Sequence, residues 1–119
     1  FGDPGDALVA GEGIESVLTL RMLFPGLSMV AALSAGHLGA FALPQGLVRL
    51  YIALEPDPAG EAAFERLADR AGGQGIAVHP LLSQGTDPNA DLQAFGPAAT
   101  AARLMGQLVP ADQDRVRAA

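Results

Sequence analysis

The sequence predicts a single α/β domain, with a central, mainly parallel sheet of four strands and helices on both faces. Three observations predict it. Short apolar runs alternate with helix-like stretches along the 119 residues, as in successive βαβ units. Half of the residues are hydrophobic and only 17% are charged, which suits one packed core and is too apolar for a disordered tail. Proline and glycine stand between the runs, where turns are needed.

The elements follow in order. Ala7 to Gly11 (ALVAG) is a short apolar run, and Gly13 to Phe24 (GIESVLTLRMLF) places Ile14, Val17, Leu18, Arg21 and Met22 at helical spacing before Pro25-Gly26 stops it. Leu27 to Leu33 (LSMVAAL) is the next apolar run, followed by the small-residue segment SAGHLGAF and a turn at Pro44 to Gly46. Leu47 to Leu54 (LVRLYIAL) is the strongest strand candidate, because β-branched and aromatic residues favour a pleated, half-buried surface. In the stretch after it, Ala63, Phe64, Leu67 and Ala71 form an apolar helix face, with Gly72-Gly73 as the expected C-cap.

Ile76 to Leu82 (IAVHPLL) reads as a fourth strand, and Pro80, which has no N–H to donate, places it at an edge or strand end. SQGTDPNADLQAFG reads as a loop, Pro97 to Val109 as a last helix with Pro97 in its first turn, and DQDRVRAA as a tail that frays. The α/β unit is expected over residues 1–96, with residues 97–119 a helix and tail packed on it or trailing it.

Composition restricts the chemistry. There is no cysteine, so disulfides and thiolate zinc sites are excluded, and any metal sits on oxygen or imidazole ligands. No apolar run approaches the roughly 18 to 20 residues of a membrane span. The opening FGDPGD lacks the basic-then-apolar order of a signal peptide, so a cytoplasmic location is the default expectation, with no membrane partner. The chain begins at Phe1 rather than methionine, which suggests a piece of a longer protein. Net charge is −6, and the seven basic residues are scattered arginines. Duplex affinity comes largely from Lys and Arg neutralising phosphates, so this chain needs a cation or a neighbouring domain to hold nucleic acid.

The acids fall where chemistry is expected. In open α/β sheets, ligands bind at the carboxyl ends of the strands. Glu12 and Glu15 follow the first predicted strand, Glu55 and Asp57 the third, and Asp87 and Asp91 the fourth. Carboxylates brought within about 4 to 6 Å raise one another's pKa unless a cation sits between them. Mg²⁺, which prefers one or two carboxylates plus waters and phosphate, suits an oxygen-only set such as Glu12, Glu55 and Asp57 better than zinc does. Glu55 and Asp57 are two apart, so in an extended segment they point to the same side. The plainer reading stands beside this one: acids after strands cap helices and complement their dipoles, and Asp57 before Pro58 and Asp87 before Pro88 are both good N-cap candidates.

These residues resemble a family. AGEGIESVLTL is similar to the strand-then-EG motif of the Toprim domain, shared by bacterial-type primases, type IA and type II topoisomerases and related nucleases. LYIALEPDPAGEAAFERLADR is similar to the second motif, in which a hydrophobic strand ends in D-x-D and a helix follows through small residues. The intervening VAALSAGHLGAFALPQGLVRLYIA and the later GTDPNADLQAFG resemble the Toprim domains of phage, plasmid and integrative-element primase-helicase or relaxase proteins. The likeness extends to about Gly96.

The resemblance implies a Toprim-like, Rossmann-like fold and Mg²⁺-dependent (or Mn²⁺-dependent) phosphodiester chemistry on nucleic acid. The setting it implies is a DNA primase or a mobile-element replication or transfer protein, with zinc-binding, helicase or relaxase segments elsewhere in the parent. Glu12 matches the family's general acid or base and metal-assisting glutamate, and Asp57 the second aspartate of D-x-D, a metal ligand. Glu55 stands where the family has its first aspartate, one methylene longer. Asp87 and Asp91 either hold a second ion or cap the next helix. Gly13 would allow close backbone approach, and Gly60 a tight helix start.

Other residues are assigned plainer roles. His37 is expected on the surface and His79 at a strand end, Arg49 in solvent, Tyr51 in packing, and Met22, Met29 and Met105 in core gaps. Ser34 and Ser83 have no His and Asp in triad order. Two competing functions remain open: a catalytically relaxed Toprim-like module that docks to partner domains, and a receiver-type phosphoacceptor. The absence of lysine counts against the latter, whose sites resemble one another in pairing a lysine with the acceptor aspartate.

Overall fold

The computed structural model describes residues 5–119. Residues 1–4, most of the FGDPGD opening read for a signal peptide, lie outside the described residues. Strands β1 (Ala7–Gly11), β2 (Ser28–Ala31), β3 (Arg49–Ala53) and β4 (Ala77–Leu81) are interleaved with helices α1 (Ile14–Leu23), α2 (Ala35–Ala40) and α3 (Pro58–Gly73). Helices α4 (Pro88–Met105) and α5 (Pro110–Ala118) complete the chain. The four strands form one sheet in the order β2-β1-β3-β4, and every pairing is parallel.

Strand alternation builds a core on each face of the sheet. Val9, Met29, Tyr51, Ala53 and Leu81 meet Val17 and Leu20 of α1, Leu104 of α4, and Leu108 and Val116 near and on α5. Leu8, Ala10, Leu50 and Ile52 point the other way, against Leu38 of α2 and Ala63, Leu67 and Ala71 of α3. Each fully buried leucine or isoleucine contributes about 2 kcal/mol, so both helical layers are needed to cover the sheet. The expected α/β architecture, with helices on both faces, is the one observed.

Several local readings change. The buried face of α1 is Ser16, Val17, Thr19 and Leu20, whereas Ile14, Leu18 and Met22 are exposed. Met22 therefore fills no core gap, although Met29 is buried and Met105 packs against the core. Ser16 and Thr19 share the inner face with Val17 and Leu20 where helix and sheet approach closely: a Cβ on Gly11 would lie 2.8 Å from Val17 Cγ2. SAGHLGAF contains a short helix, α2, whose N-cap Ser34 accepts from the His37 N–H. His37 is exposed, as expected. His79 lies within β4, its ring centroid 5.4 Å from that of Tyr51. After α3 the left-handed glycine is Gly75, with φ 76°, rather than Gly72-Gly73, which stay helical.

The segment read as a loop up to Gly96 is already helical from Pro88. Asp87 caps that helix by accepting from the Ala90 N–H, and Gly96, at φ 82°, kinks it before Pro97 restarts the turn. The tail does not fray. Asp112 is fully buried and accepts from Arg49 and Tyr51, while Gln113 Nε2 donates to the carbonyls of Met105 and Leu108. Arg49 is thus an ion-pair residue rather than a solvated one, and Tyr51 adds hydrogen bonding to packing. A composition-based reading of DQDRVRAA sees a mostly polar tail; the partner of Asp112 lies 63 residues away in the chain.

Candidate functional site

The strand order places the site. From β1 the chain crosses through α1 to β2 on one side, and from β3 it crosses through α3 to β4 on the other. The sheet therefore has a topological switch point between β1 and β3, and the crevice beyond their carboxyl ends is where open α/β sheets bind ligands. Register pairs Ala10 with Ile52, so the two strands end level with each other.

A cleft of about 390 Å³ opens there, and Glu12, Glu15, Glu55, Asp57 and Asp87 all line it. The expected convergence of acids from three strand ends is present in the structure. Burial pushes the Glu55 carboxyl above its ordinary pKa, and the neighbouring charges of Asp87, Glu12 and Asp57 push it further in the same direction. Among the described residues, no three carboxylates or imidazoles converge closely enough to hold an ion unaided.

Three helix N-termini meet at the same cleft. Asp57 caps α3 through Oδ1, which accepts from the Gly60 N–H at 2.6 Å, and Asp87 caps α4 in the same way at 2.8 Å. The N-cap of α1 is Gly13, which makes no side-chain cap, and Gly13, Ile14, Glu15 and Ser16 line the cleft. Each helix N-terminus carries roughly half a positive charge, too little to balance five carboxylates. The capping and cation readings of Asp57 and Asp87 are compatible, since one carboxylate oxygen makes the cap.

Two backbone features shape the cleft. A Cβ on Gly60 would overlap the Glu55 carbonyl oxygen, come 2.7 Å from Glu55 Cβ and press on Asp57 Oδ1 at 3.1 Å. Only glycine lets the α3 N-terminus close on the acidic segment. Nothing lies within 4 Å of a Cβ on Gly13, so the backbone after Glu12 is open to an approaching group. At the rim, Leu33 has φ 76° and is 70% exposed, and its N–H donates to the Glu12 carbonyl at 2.7 Å. Leu33 lines the cleft, yet its residue type carries no signal for a left-handed, exposed position.

Asp91 stands apart from this group. It is 2% exposed, and its two oxygens accept from the backbone N–H groups of Gln84 and Gly85, both at 2.7 Å. It does not line the cleft that holds the other five strand-end acids.

Solved structures share this fold. A chain in the complex of bacteriophage T7 lagging-strand DNA polymerase with the primase domains of two gp4 subunits, bound to an RNA/DNA hybrid and dTTP, superposes with a TM-score of 0.64 at 18% identity. The match covers 87% of this chain and 55% of that one. The primase fragment of the T7 primase-helicase gives 0.62 at 18% identity, covering 87% and 45%. The Aquifex aeolicus primase, with its zinc-binding and RNA polymerase domains, gives 0.53 at 22% identity, covering 87% and 26%. The chain thus spans about half the length of the phage chains it matches. No curated protein sequence matches it. The sequence profile of the Toprim domain matches residues 7–98, and the chain belongs to the Toprim domain family.

Proposed function

We propose that this Toprim domain holds a divalent cation, Mg²⁺ or Mn²⁺, and serves phosphodiester chemistry on nucleic acid. The setting we favour is a primase-type nucleotidyltransferase or a mobile-element replication or transfer protein. The observation that carries the reading is the convergence of Glu12, Glu55, Asp57 and Asp87 on one cleft at the switch point of the sheet. The donors fit a hard cation: all are carboxylate oxygens, and the Glu55 carboxyl is raised first by burial and then by the charges of Asp87, Glu12 and Asp57, a repulsion that a cation removes. Mg²⁺ keeps several waters and uses few protein ligands, so a closed cage of three side chains is not required.

Glu55 and Asp57 would hold the ion, with Glu12 and Asp87 completing its surroundings. Such an ion polarises phosphate oxygens and offsets charge that develops during transfer. Glu12 holds or moves the proton at its carboxylate. The start of α1 lines the cleft without a side-chain cap and would suit a phosphate, and the cap to Gly60 fixes the Asp57 rotamer. With a net charge of −6, the domain relies on the ion and on other segments of its parent, zinc-binding, helicase or relaxase in type, to hold the polymer.

Primer synthesis or strand transfer by the parent protein tests this reading. Asp57→Asn and Glu12→Gln are each expected to lower the rate by about a hundredfold or more; an unchanged rate in Asp57→Asn overturns it. A second reading, a catalytically relaxed module that docks to partner domains, is favoured by Glu55 in place of the family aspartate and by the lack of a ready-made cage among the described residues. Full activity of the parent after Glu12→Gln and Asp57→Asn would select it.

A further inference from the structure

The segment between β4 and α4, Leu82 to Thr86, carries Asp87 into the cleft and has few side chains of its own to hold it. Two residues from elsewhere bind its backbone. The Gln107 side chain grips Leu82 at both polar groups: Oε1 accepts from the Leu82 N–H at 2.6 Å, and Nε2 donates to the Leu82 carbonyl at 2.9 Å. This is the pairing a further strand would offer. Two residues on, buried Asp91 accepts from the N–H groups of Gln84 and Gly85. A Cβ on Gly85 would meet Asp91 Oδ1 at 3.1 Å, a tight contact that glycine avoids.

We propose that Asp91 and Gln107 are positioning residues: together they fix the Leu82–Thr86 backbone so that Asp87 stands in the cleft beside Glu55. A carboxylate that accepts two backbone N–H groups and is buried with both oxygens engaged is poorly placed to ligate an ion itself. Its influence on a bound cation then passes through the loop, as partners of metal ligands commonly act. Asparagine at 91 keeps the shape but offers one acceptor, turning an NH₂ toward one of the two backbone N–H groups. Alanine at 107 removes the other clamp without touching the cleft.

The inference rests on the proposed cation site, and Mn²⁺ binding followed by electron paramagnetic resonance is its first test. Asp91→Asn and Gln107→Ala, at temperatures where both remain folded by circular dichroism, should each weaken Mn²⁺ about tenfold. The double variant Asp87→Asn/Asp91→Asn should bind no more weakly than Asp87→Asn alone, because both changes act through one ligand. Unchanged affinity in both Asp91→Asn and Gln107→Ala, or additive losses in the double variant, overturns the proposal. A metal-free readout separates this from failure of the cation site. In Asp91→Asn, the Gln84 and Gly85 amides should exchange at least about tenfold faster, and ¹⁵N relaxation should show new motion at Asp87. If wild-type protein binds no Mn²⁺, the cation reading fails, and a still-rigid Asp87 in metal-free Asp91→Asn overturns the positioning role independently.

Discussion

Arg49 lays its guanidinium along the carboxylate of Asp112, with Nε 2.7 Å from Oδ2 and Nη2 2.8 Å from Oδ1, tying the central strand β3 to the last helix. The Asp112 side chain is wholly buried and that of Arg49 is 16% exposed. The Tyr51 hydroxyl donates to the same carboxylate and accepts from the Val109 N–H. Removing one partner of a buried pair strands the other charge. Arg49→Leu is therefore expected to destabilise the protein by roughly 3 kcal/mol, whereas Arg49→Leu/Asp112→Leu loses less than the sum of the two single changes, as read by urea unfolding. The Arg115–Asp6 pair, with side chains 36% and 44% exposed, should contribute under about 1 kcal/mol.

The same cluster shapes both pH limbs of stability. Burial pushes the Asp112 carboxyl up, but the hydrogen bonds from Arg49 and Tyr51 and the charges of Arg49 and Arg115 together bring it below its ordinary value. A depressed carboxylate stabilises above its unfolded pKa, and the contribution disappears as pH falls from about 4 through the folded value. Burial first, and then the hydrogen bond to Asp112, push the Tyr51 phenol up to about 12. A raised phenol stabilises below its unfolded pKa, so stability falls as pH rises from about 10 toward 12. Melting curves across pH should show a shallower acid limb in Asp112→Asn and a shallower alkaline limb in Tyr51→Phe.

Gly60→Ala tests the closure of α3 on the acidic segment. The added Cβ collides with the Glu55 backbone, and such overpacking costs about 1–3 kcal/mol. A drop in thermal midpoint is expected, with altered NMR signals at Glu55 and Asp57, whereas Gly13→Ala, whose Cβ meets nothing within 4 Å, should leave those signals in place.

Leu33 holds a left-handed backbone at the rim, which costs a side-chain-bearing residue roughly 1–2 kcal/mol. Glycine relieves that strain but adds chain entropy to the unfolded state. Leu33→Gly is expected to be neutral or stabilising by up to about 1 kcal/mol, and Leu33→Val, being β-branched, to be destabilising. Denaturant midpoints of the two variants distinguish these outcomes.

Much of the fold was legible in the sequence because its signals are local. LVRLYIAL reads as a strand on its own, Asp57-Pro58 reads as a helix start, and alternating runs point to a parallel sheet with acids at its carboxyl edge. What was not legible depends on contacts distant in sequence. The inner face of α1 takes Ser16 and Thr19 beside Val17 and Leu20, leaving Ile14, Leu18 and Met22 outside. DQDRVRAA becomes a helix because Asp112 finds Arg49 and Tyr51. Asp91 shares the acidity of the cleft residues and differs only in its partners, the amides of Gln84 and Gly85, which no residue pattern announces.

The central claim is that the cleft at the switch point is a cation site, and thermal melting of the wild type and of Glu55→Gln with and without Mg²⁺ tests it most directly. Without metal, Glu55→Gln removes a carboxylate from a repulsive cluster and should melt a few degrees higher than the wild type. With Mg²⁺ at about a hundred times its dissociation constant, the wild type should gain several degrees through linkage, and Glu55→Gln and Asp57→Asn should gain much less. Identical midpoints for the wild type with and without Mg²⁺, together with no rise in metal-free Glu55→Gln, would contradict it.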